Sequence, residues 1–576
     1  MSYLSPIYTE KTQCQDCYKC IRECPVKAIR VENGHAMVVS ELCVLCGHCV
    51  TACPAGAKRV RDDLPRAQQL LRLREKVIVS LAPSFASEFE GIRTEDLIQG
   101  IKKLGFFGVS ETAIGADLVS AQLAEDFQTE KNRKLYLSSA CPVAVEYIKL
   151  YMKEFTPYIT DRASPLLAHA RMLRSQYGKD IGVVFVGPCI AKKRESDTWQ
   201  TIDCSISFKD LKKWLDNAGI KIEGNQTVTE SPGASFIPYR AAKGSLYPVD
   251  GGMIAAMKKY PGTENVHMMA VTGLDEIENA LRGLDPAKLK TPLFIELLAC
   301  PGGCINGPLS SVKTPTSLRR IALLEYARSA NDTLDELRPE MKGTLPIEPA
   351  IESNHTDEDI RSALRQVGKY DIQDELNCGS CGYDTCRAFA AALLDHHAEK
   401  TMCVSYMRKL AQKKANGLIR AIPSGVVIAD SDLKIIECNE NFARLMGEDI
   451  LAMFEAKPGM EGADLEKISG ISRFFKDVLS VDGPDVVEHE LREGKKIFQT
   501  TVFVIEKGES ACGVIQDVTV PQIQKERVIK QTRKVINKNL AVVQKIAFLL
   551  GENAAETEAT LNSIIESFSE NDEGVE

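Results

Sequence analysis

At 576 residues the chain is too long for one hydrophobic core, so several domains are expected. A composition 44% hydrophobic and 26% charged, with a net charge of −8, argues against nucleic acid or an anionic membrane surface as partner. The opening MSYLSPIYTE lacks the basic region and apolar core of an export signal, and no run approaches the roughly 18 apolar residues of a membrane span, so a cytoplasmic location is expected. Nineteen cysteines sit in tight clusters; in a long chain without an export signal, such clusters read as metal ligands rather than disulfides.

Residues 1–62 are dense in Cys, Pro and short loops. A basic, Leu-rich stretch from Leu64 to Lys76 has helical spacing and reads as a connector. From 77 to 330 short apolar runs alternate with helical patterns, which predicts an α/β sheet domain. Four runs stand out: VIVSLAPS at 77, LYLSSACP at 135, IGVVFVGPC at 181 and LFIELLACPGG at 293. Each ends in a Pro, Gly or Cys turn. Ligands of open α/β sheets collect beyond the carboxyl ends of strands, where the three Cys-bearing turns would converge. The polar stretch 340–358 reads as a linker, and a compact Cys module follows at 359–412. A helix ending near Arg420 leads to GVVIADSDLKIIECNENFARLMG, which predicts strand, turn, strand, helix, and TTVFVIEKGESACGVIQDV predicts a hairpin. In 521–576, Val528, Val535, Val542 and Leu549 repeat every seven residues, the pattern of a helix that packs on other helices. The final SENDEGVE reads as disordered.

Cys14, Cys17, Cys20 and Cys24 precede Pro25, and Cys43, Cys46, Cys49 and Cys53 precede Pro54. Both runs have the spacing of bacterial two-cluster ferredoxins, in which the fourth Cys serves the other cluster. One [4Fe-4S] cluster would thus take Cys14, Cys17, Cys20 and Cys53, the other Cys43, Cys46, Cys49 and Cys24. Soft iron favours soft sulfur, and close spacing lets one loop wrap three corners of a cube. Two zinc sites are the alternative, but two three-Cys runs with distant fourth ligands suit crossed cubanes better than tetrahedral pairs. His48, between ligands, is expected to be a solvent-facing loop residue.

The strings SSACPVAVEYI, PCIAKKRE and ELLACPGGCINGP, with APS at 82–84, GADL at 115–118 and YPVDGGM at 247–253, resemble the signature loops of the [FeFe]-hydrogenase catalytic domain over residues 77–320. The resemblance implies a cubane on Cys141, Cys189, Cys300 and Cys304. Cys304 would bridge to a two-iron unit carrying CO, CN and an azadithiolate. It implies that Lys192 donates to one cyanide, and that Ser84 and the backbone around Pro83 contact the other cyanide and the pocket. Glu195 and Glu296 match acidic positions of the same loops, with a structural or pathway role. By itself Lys192 would read as a surface lysine of a basic run; its place three residues after Cys189 within the family string reverses that. Cys204, Cys438 and Cys512 have no motif and are expected to be buried structural thiols.

The chain departs from the fast members of that family. They carry two successive cysteines in the first loop, the earlier passing protons; here that place is Ala140, and a methyl group relays nothing. The stretch after GADL, where they offer glutamates, reads Val119 to Leu123, leaving Glu125 or Asp126 as substitutes. The second loop begins Gly187-Pro188 instead of Met-Pro. This combination resembles the sensory, PAS-containing branch. Slow catalysis is therefore expected, with H2 and protons as substrates and a redox protein such as ferredoxin as partner.

Cys378, Cys381, Cys386 and Cys403 resemble a single-cluster domain of other redox proteins, implying a fourth [4Fe-4S] cluster in all, with zinc as the alternative. His396 and His397 read as exposed helix residues. Residues 416–520 resemble a PAS domain, a sensing or dimerising module. No Walker loop, dinucleotide fingerprint or kinase motif is present, so any output lies in an unidentified signalling protein. The expected fold is multidomain α/β and α+β: a two-cluster ferredoxin module at 1–62, a hydrogenase domain at 63–340, a single-cluster domain at 359–412, a PAS domain at 416–520 and a helical dimerisation tail at 521–576. The competing functions are a catalytic ferredoxin-linked hydrogenase and an iron–sulfur assembly scaffold without the two-iron unit.

Overall fold

A computed structural model of the chain describes residues 4–130, 132–222, 234–328, 339–344, 346, 354–480, 482–493, 496–518, 534–536 and 538–539. Residues 1–399 form one compact unit and 400–576 a second. The middle of the expected linker, and nearly all of the seven-residue repeat with its dimerisation role, fall outside the described residues.

The first unit opens with the strand Ile7–Thr9, paired antiparallel with Lys58–Val60 so that Thr9 stands opposite Lys58. Between them lie the hairpin Ile29–Glu32/His35–Val38 and two short helices, Lys19–Arg22 and His48–Ala52, each begun within a cysteine run. His48 is therefore a half-buried helix residue, with Nδ1 out of water, rather than a solvent-facing loop residue. The connector is the helix Leu64–Leu73, with Pro65 in its first turn, where a missing N–H costs nothing.

The four apolar runs are strands, but they belong to two parallel sheets rather than one. Val77–Leu81 and Gly182–Val186 form the centre of a four-stranded sheet, flanked by Gly108–Glu111 and Cys204–Ile206. Leu293–Leu298 is central to the other, between His267–Thr272 and Leu135–Leu137. Val77–Leu81 and Gly182–Val186 are buried at every residue, as continuous apolar runs covered on both faces should be. The helix Thr112–Thr129 is buried on most of its circumference and packs against Pro165–Tyr177, whose N-cap Ser164 accepts from the Leu167 N–H. A buried ionic lattice ties the N-terminal segment to this domain. Arg61 pairs with Asp63 and with Asp197 (2.7 Å), and Lys193, 1% exposed, donates to Asp63 (2.9 Å).

Farther along, the helices Asp357–Gln366 and Cys386–Leu394 pack through Ala363, Leu364, Cys386 and Ala390. The first begins with a Thr356/Asp359 capping box and the second is capped by Thr385. His396 lies in a left-handed turn just past the second helix, and His397 is half-buried, its carbonyl accepting from the Val31 N–H, so neither is an exposed helix residue.

The second unit has the helix Val404–Ala421 and a five-stranded antiparallel sheet in the order Ile435–Cys438, Gly425–Asp430, Ser510–Asp517, Lys496–Glu506, Val486–Glu493. Four short helices between the second and third strands of the chain order, ending with Ser472–Leu479, cover one face, with Phe442, Phe475, Val502 and Ile515 in the core. Buried Asn439 donates from Nδ2 to the carbonyls of Ile419 (2.9 Å) and Ser424 (2.8 Å), fastening the entering helix to the sheet.

Candidate metal centres

In the N-terminal module the cysteines fall into two quartets. Burial pushes the Cys20 thiol up to about 11, and Cys17, Cys14 and Cys53 add to the rise by repelling its charged form. Burial likewise raises Cys49, with Cys43, Cys46 and Cys24 as its thiol neighbours. The fourth cysteine of each run therefore lies with the other run.

The turns after three strands converge in the two-sheet domain. A cavity of about 110 Å³ is walled by Cys141, Cys189, Cys300 and Cys304, with Pro83, Ser84, Ala140 and Lys192 beside them. Cys141 precedes the helix Pro142–Tyr151, Cys189 follows Gly182–Val186 by three residues, and Cys300 follows Leu293–Leu298 by two. Gly303 has φ 96°, and a side chain there would strike the Pro248 carbonyl 2.1 Å away. Only glycine lets this loop close against YPVDGGM. Burial holds the Cys189 thiol at about 11 and drives Cys300 and Cys304 well above the usual thiol range, each raised further by its cysteine neighbours.

Lys192 is nearly buried, its side chain 11% exposed. Its Nζ donates to Glu195 Oε2 (2.6 Å) and Ser164 Oγ (3.2 Å), and Ser164 in turn donates to Glu195. Two of its three N–H donors are thereby used, leaving one for whatever fills the cavity. Ser84, 1% exposed, has a buried Oγ with no hydrogen-bond partner among the described residues. An orphan hydroxyl on a cavity wall is costly unless a bound group completes it. Four crowded thiols that resist ionisation, together with an unsatisfied hydroxyl and a cation, fit an iron–sulfur group, whose metal would hold the sulfurs as thiolates.

Glu296 does not line the cavity. It accepts from the Met253 and Ile254 N–H groups at the start of Gly252–Met257, and burial moves it up to about 7. Neither substitute for the missing relay reaches the cavity: Asp126 is paired with Arg162, and Glu125 accepts from Gln122 (3.1 Å). Sequence reasoning missed Phe185 and Thr112 on the wall. Phe185 has a local signal, since its ring lies 2.6 Å from where a side chain on Gly187 would begin and so occupies the space a methionine there would need.

The two sites adjoin. Gly47, between Cys46 and His48, packs against Pro308 and Ile190 from the loops that carry Cys304 and Cys189, and Cys46 is among the thiols that raise Cys300. On another side, Gly382 packs on Ile21, and Tyr383 feels both Cys381 and Cys24. Cys378 is exposed, Cys381 half-buried and Cys386 buried at its helix start. Cys403 immediately precedes Val404–Ala421 in the second unit.

Residues 75–308 match the family model for the iron only hydrogenase large subunit, C-terminal domain. Residues 6–59 match a 4Fe-4S dicluster domain, 374–405 an Fe-S cluster family and 414–479 a PAS domain. The periplasmic [Fe] hydrogenase large subunit of Nitratidesulfovibrio vulgaris is 24% identical over 40% of this chain and 65% of its own, so this chain spans a little under two thirds of that relative. A cytosolic Fe-S cluster assembly factor of Danio rerio is 25% identical over 40% of this chain and 71% of its own. An [FeFe]-hydrogenase structure from Chlamydomonas reinhardtii is 18% identical, covering 46% of this chain and 88% of that one at a TM-score of 0.37. No described helix is long and apolar enough to cross a membrane. Residues 75–308 thus match the iron only hydrogenase large-subunit domain, in a chain whose other segments match a 4Fe-4S dicluster domain and a PAS domain.

Proposed function

We propose that the chain is a hydrogen- or redox-sensing [FeFe]-hydrogenase that oxidises H2 slowly and reversibly to protons and electrons, and relays its redox state through the PAS domain. The observation that carries this reading is the cavity: it keeps the four cysteines, Lys192 and Ser84, yet has the methyl of Ala140 at the relay position.

Cys141, Cys189, Cys300 and Cys304 would hold a cubane, with Cys304 as the bridging sulfur to the two-iron unit with its CO, CN and azadithiolate ligands. When bound, that unit supplies heterolytic cleavage of H2. The chain's own residues position and insulate. The remaining Lys192 donor and the orphan Ser84 hydroxyl suit anionic ligands, while Pro83, Phe185 and Leu298 exclude water. Cys46 beside Cys300 makes the second quartet the neighbour for electron exchange, and Tyr383 beside Cys24 makes the Cys378 segment the next station. Cys378, Cys381, Cys386 and Cys403 are proposed as ligands of a fourth cubane. External partners would be a ferredoxin-like redox protein and a signalling protein, with the chain as a cytoplasmic homodimer.

The second reading is an iron–sulfur assembly scaffold without the two-iron unit, favoured by the likeness to a cluster assembly factor. Infrared spectra of matured protein separate the two. Bands from CO and CN that change under H2 are expected; their absence after maturation gives the scaffold reading, and bands with fast turnover give the plain enzyme.

A further inference from the structure

In sequence, Lys58 opens the run KRVRDD and reads as a solvated surface charge. In the structure it is only 3% exposed. Facing Thr9 across the antiparallel pair, it donates from Nζ to Thr9 Oγ1 (2.7 Å) and to the Ala36 carbonyl, which also accepts from Thr9 Oγ1 (2.7 Å). Its partners are thus a hydroxyl and a carbonyl, and one of its three N–H donors has no acceptor among the described residues. Among the described residues no carboxylate pairs with it, whereas the nearly buried Lys192 has Glu195 and the buried Lys193 has Asp63. A buried ammonium without a counter-charge is strongly unfavourable, so the negative charge must come from elsewhere.

The cysteines indicate where. Lys58 lies within electrostatic reach of Cys20 in one quartet and of Cys43 and Cys49 in the other. It therefore faces both quartets.

We propose that Lys58 is a buried cation shared by the two N-terminal iron–sulfur clusters, which serve as its counter-charge, and that it raises the reduction potential of both. This rests on the reading that residues 1–62 hold two cubanes. Each cluster gains one electron on reduction, and no bond forms or breaks. A fixed positive charge favours the more negative, reduced form, and does so more strongly out of water. Because one residue acts on both, the two potentials move together.

The test is a redox titration of the full matured chain with dithionite, followed by electron paramagnetic resonance. The two signals are assigned by the change that Cys17→Ser or Cys46→Ser, each replacing a single sulfur ligand by oxygen, makes in one of them. In Lys58→Met and Lys58→Gln the equilibrium for reduction of both clusters should fall about tenfold, some 59 mV for a one-electron couple, with Lys58→Arg near the unaltered protein. Unchanged potentials in iron-replete variants, or a shift in one cluster alone, would overturn the proposal. If the uncharged variants take up no iron in this module while Lys58→Arg does, the counter-charge role is supported; if Lys58→Arg also takes up none, Lys58 acts by packing and the proposal is lost. Absence of the two signals from the unaltered protein would instead defeat the two-cubane reading.

Discussion

In the proposed hydrogenase, Ala140 and its neighbours would decide how fast a proton leaves the cavity. Positioned general acids and bases typically contribute about 10²–10⁴-fold, so Ala140→Cys should raise H2 evolution by up to that factor while leaving the CO and CN bands of the resting protein in place. An unchanged rate would put the limit elsewhere in the path. Glu111 governs a different property. It is fully buried, and burial raises its carboxyl from 4.5 to about 7 although the Tyr326 hydroxyl, the Ala241 N–H (2.6 Å) and Arg240 all favour the ionised form. A raised pKa means that the folded state holds the proton more tightly than the unfolded one. The stabilisation is complete below about 4.5 and is lost as pH rises through about 7, a change on the order of 3 kcal/mol. Denaturation midpoints measured at pH 5 and pH 8 should therefore differ less in Glu111→Gln than in the unaltered protein. Lys58, His169 and Glu111 were not legible as buried groups in the sequence. His169, bonded to Ser80 and Ser110 and pushed down to about 3 by burial, sits on a helix whose pattern alone does not reveal what covers it.

At the scale of elements, the cysteine turns were legible because strand, turn and ligand are consecutive in sequence. Division of the strands between two sheets was not, since Leu135–Leu137 finds its partner in Leu293–Leu298, far along the chain, and no local pattern encodes that pairing. The short edge strands Gly108–Glu111 and Cys204–Ile206 were missed for a related reason: at three or four residues they carry too little alternation. One element-scale contact would bear on electron flow between the proposed clusters. Gly47 has φ 85°, and a side chain there would meet Pro308 at 2.5 Å and Ile190 at 2.9 Å. Gly47→Ala should push the Cys46 loop away from the hydrogenase loops. Reduction of the ferredoxin-type clusters by H2, followed by electron paramagnetic resonance, should slow, while turnover with a small external electron carrier persists.

For the molecule as a whole, the proposed inventory of four cubanes and two further irons amounts to about 18 Fe per chain. Chemical analysis should return that number, and Cys378→Ser should lower it by about four; a value near 14, unmoved by the substitution, would remove the fourth cubane. Signalling requires that the two redox states interact differently with two arrangements of the second unit, since only differential free energy shifts an equilibrium. Couplings of about 1–3 kcal/mol are typical, enough to redistribute nearly balanced states. Hydrogen exchange in the sheet strands Gly425–Asp430 and Ser510–Asp517 should then differ between H2 and a mild oxidant. Identical exchange in protein with confirmed CO and CN bands would leave a plain enzyme.

The crossing of the N-terminal cysteines also bears on how the module comes apart. Cys53 stands with Cys14, Cys17 and Cys20, and Cys24 with Cys43, Cys46 and Cys49, so early and late halves are stitched together twice. With metal in both quartets, neither half could peel away while either stitch held, and release of one would loosen a ligand of the other. Removal of iron by a chelator should therefore follow a single cooperative course, with both clusters bleaching together rather than in succession.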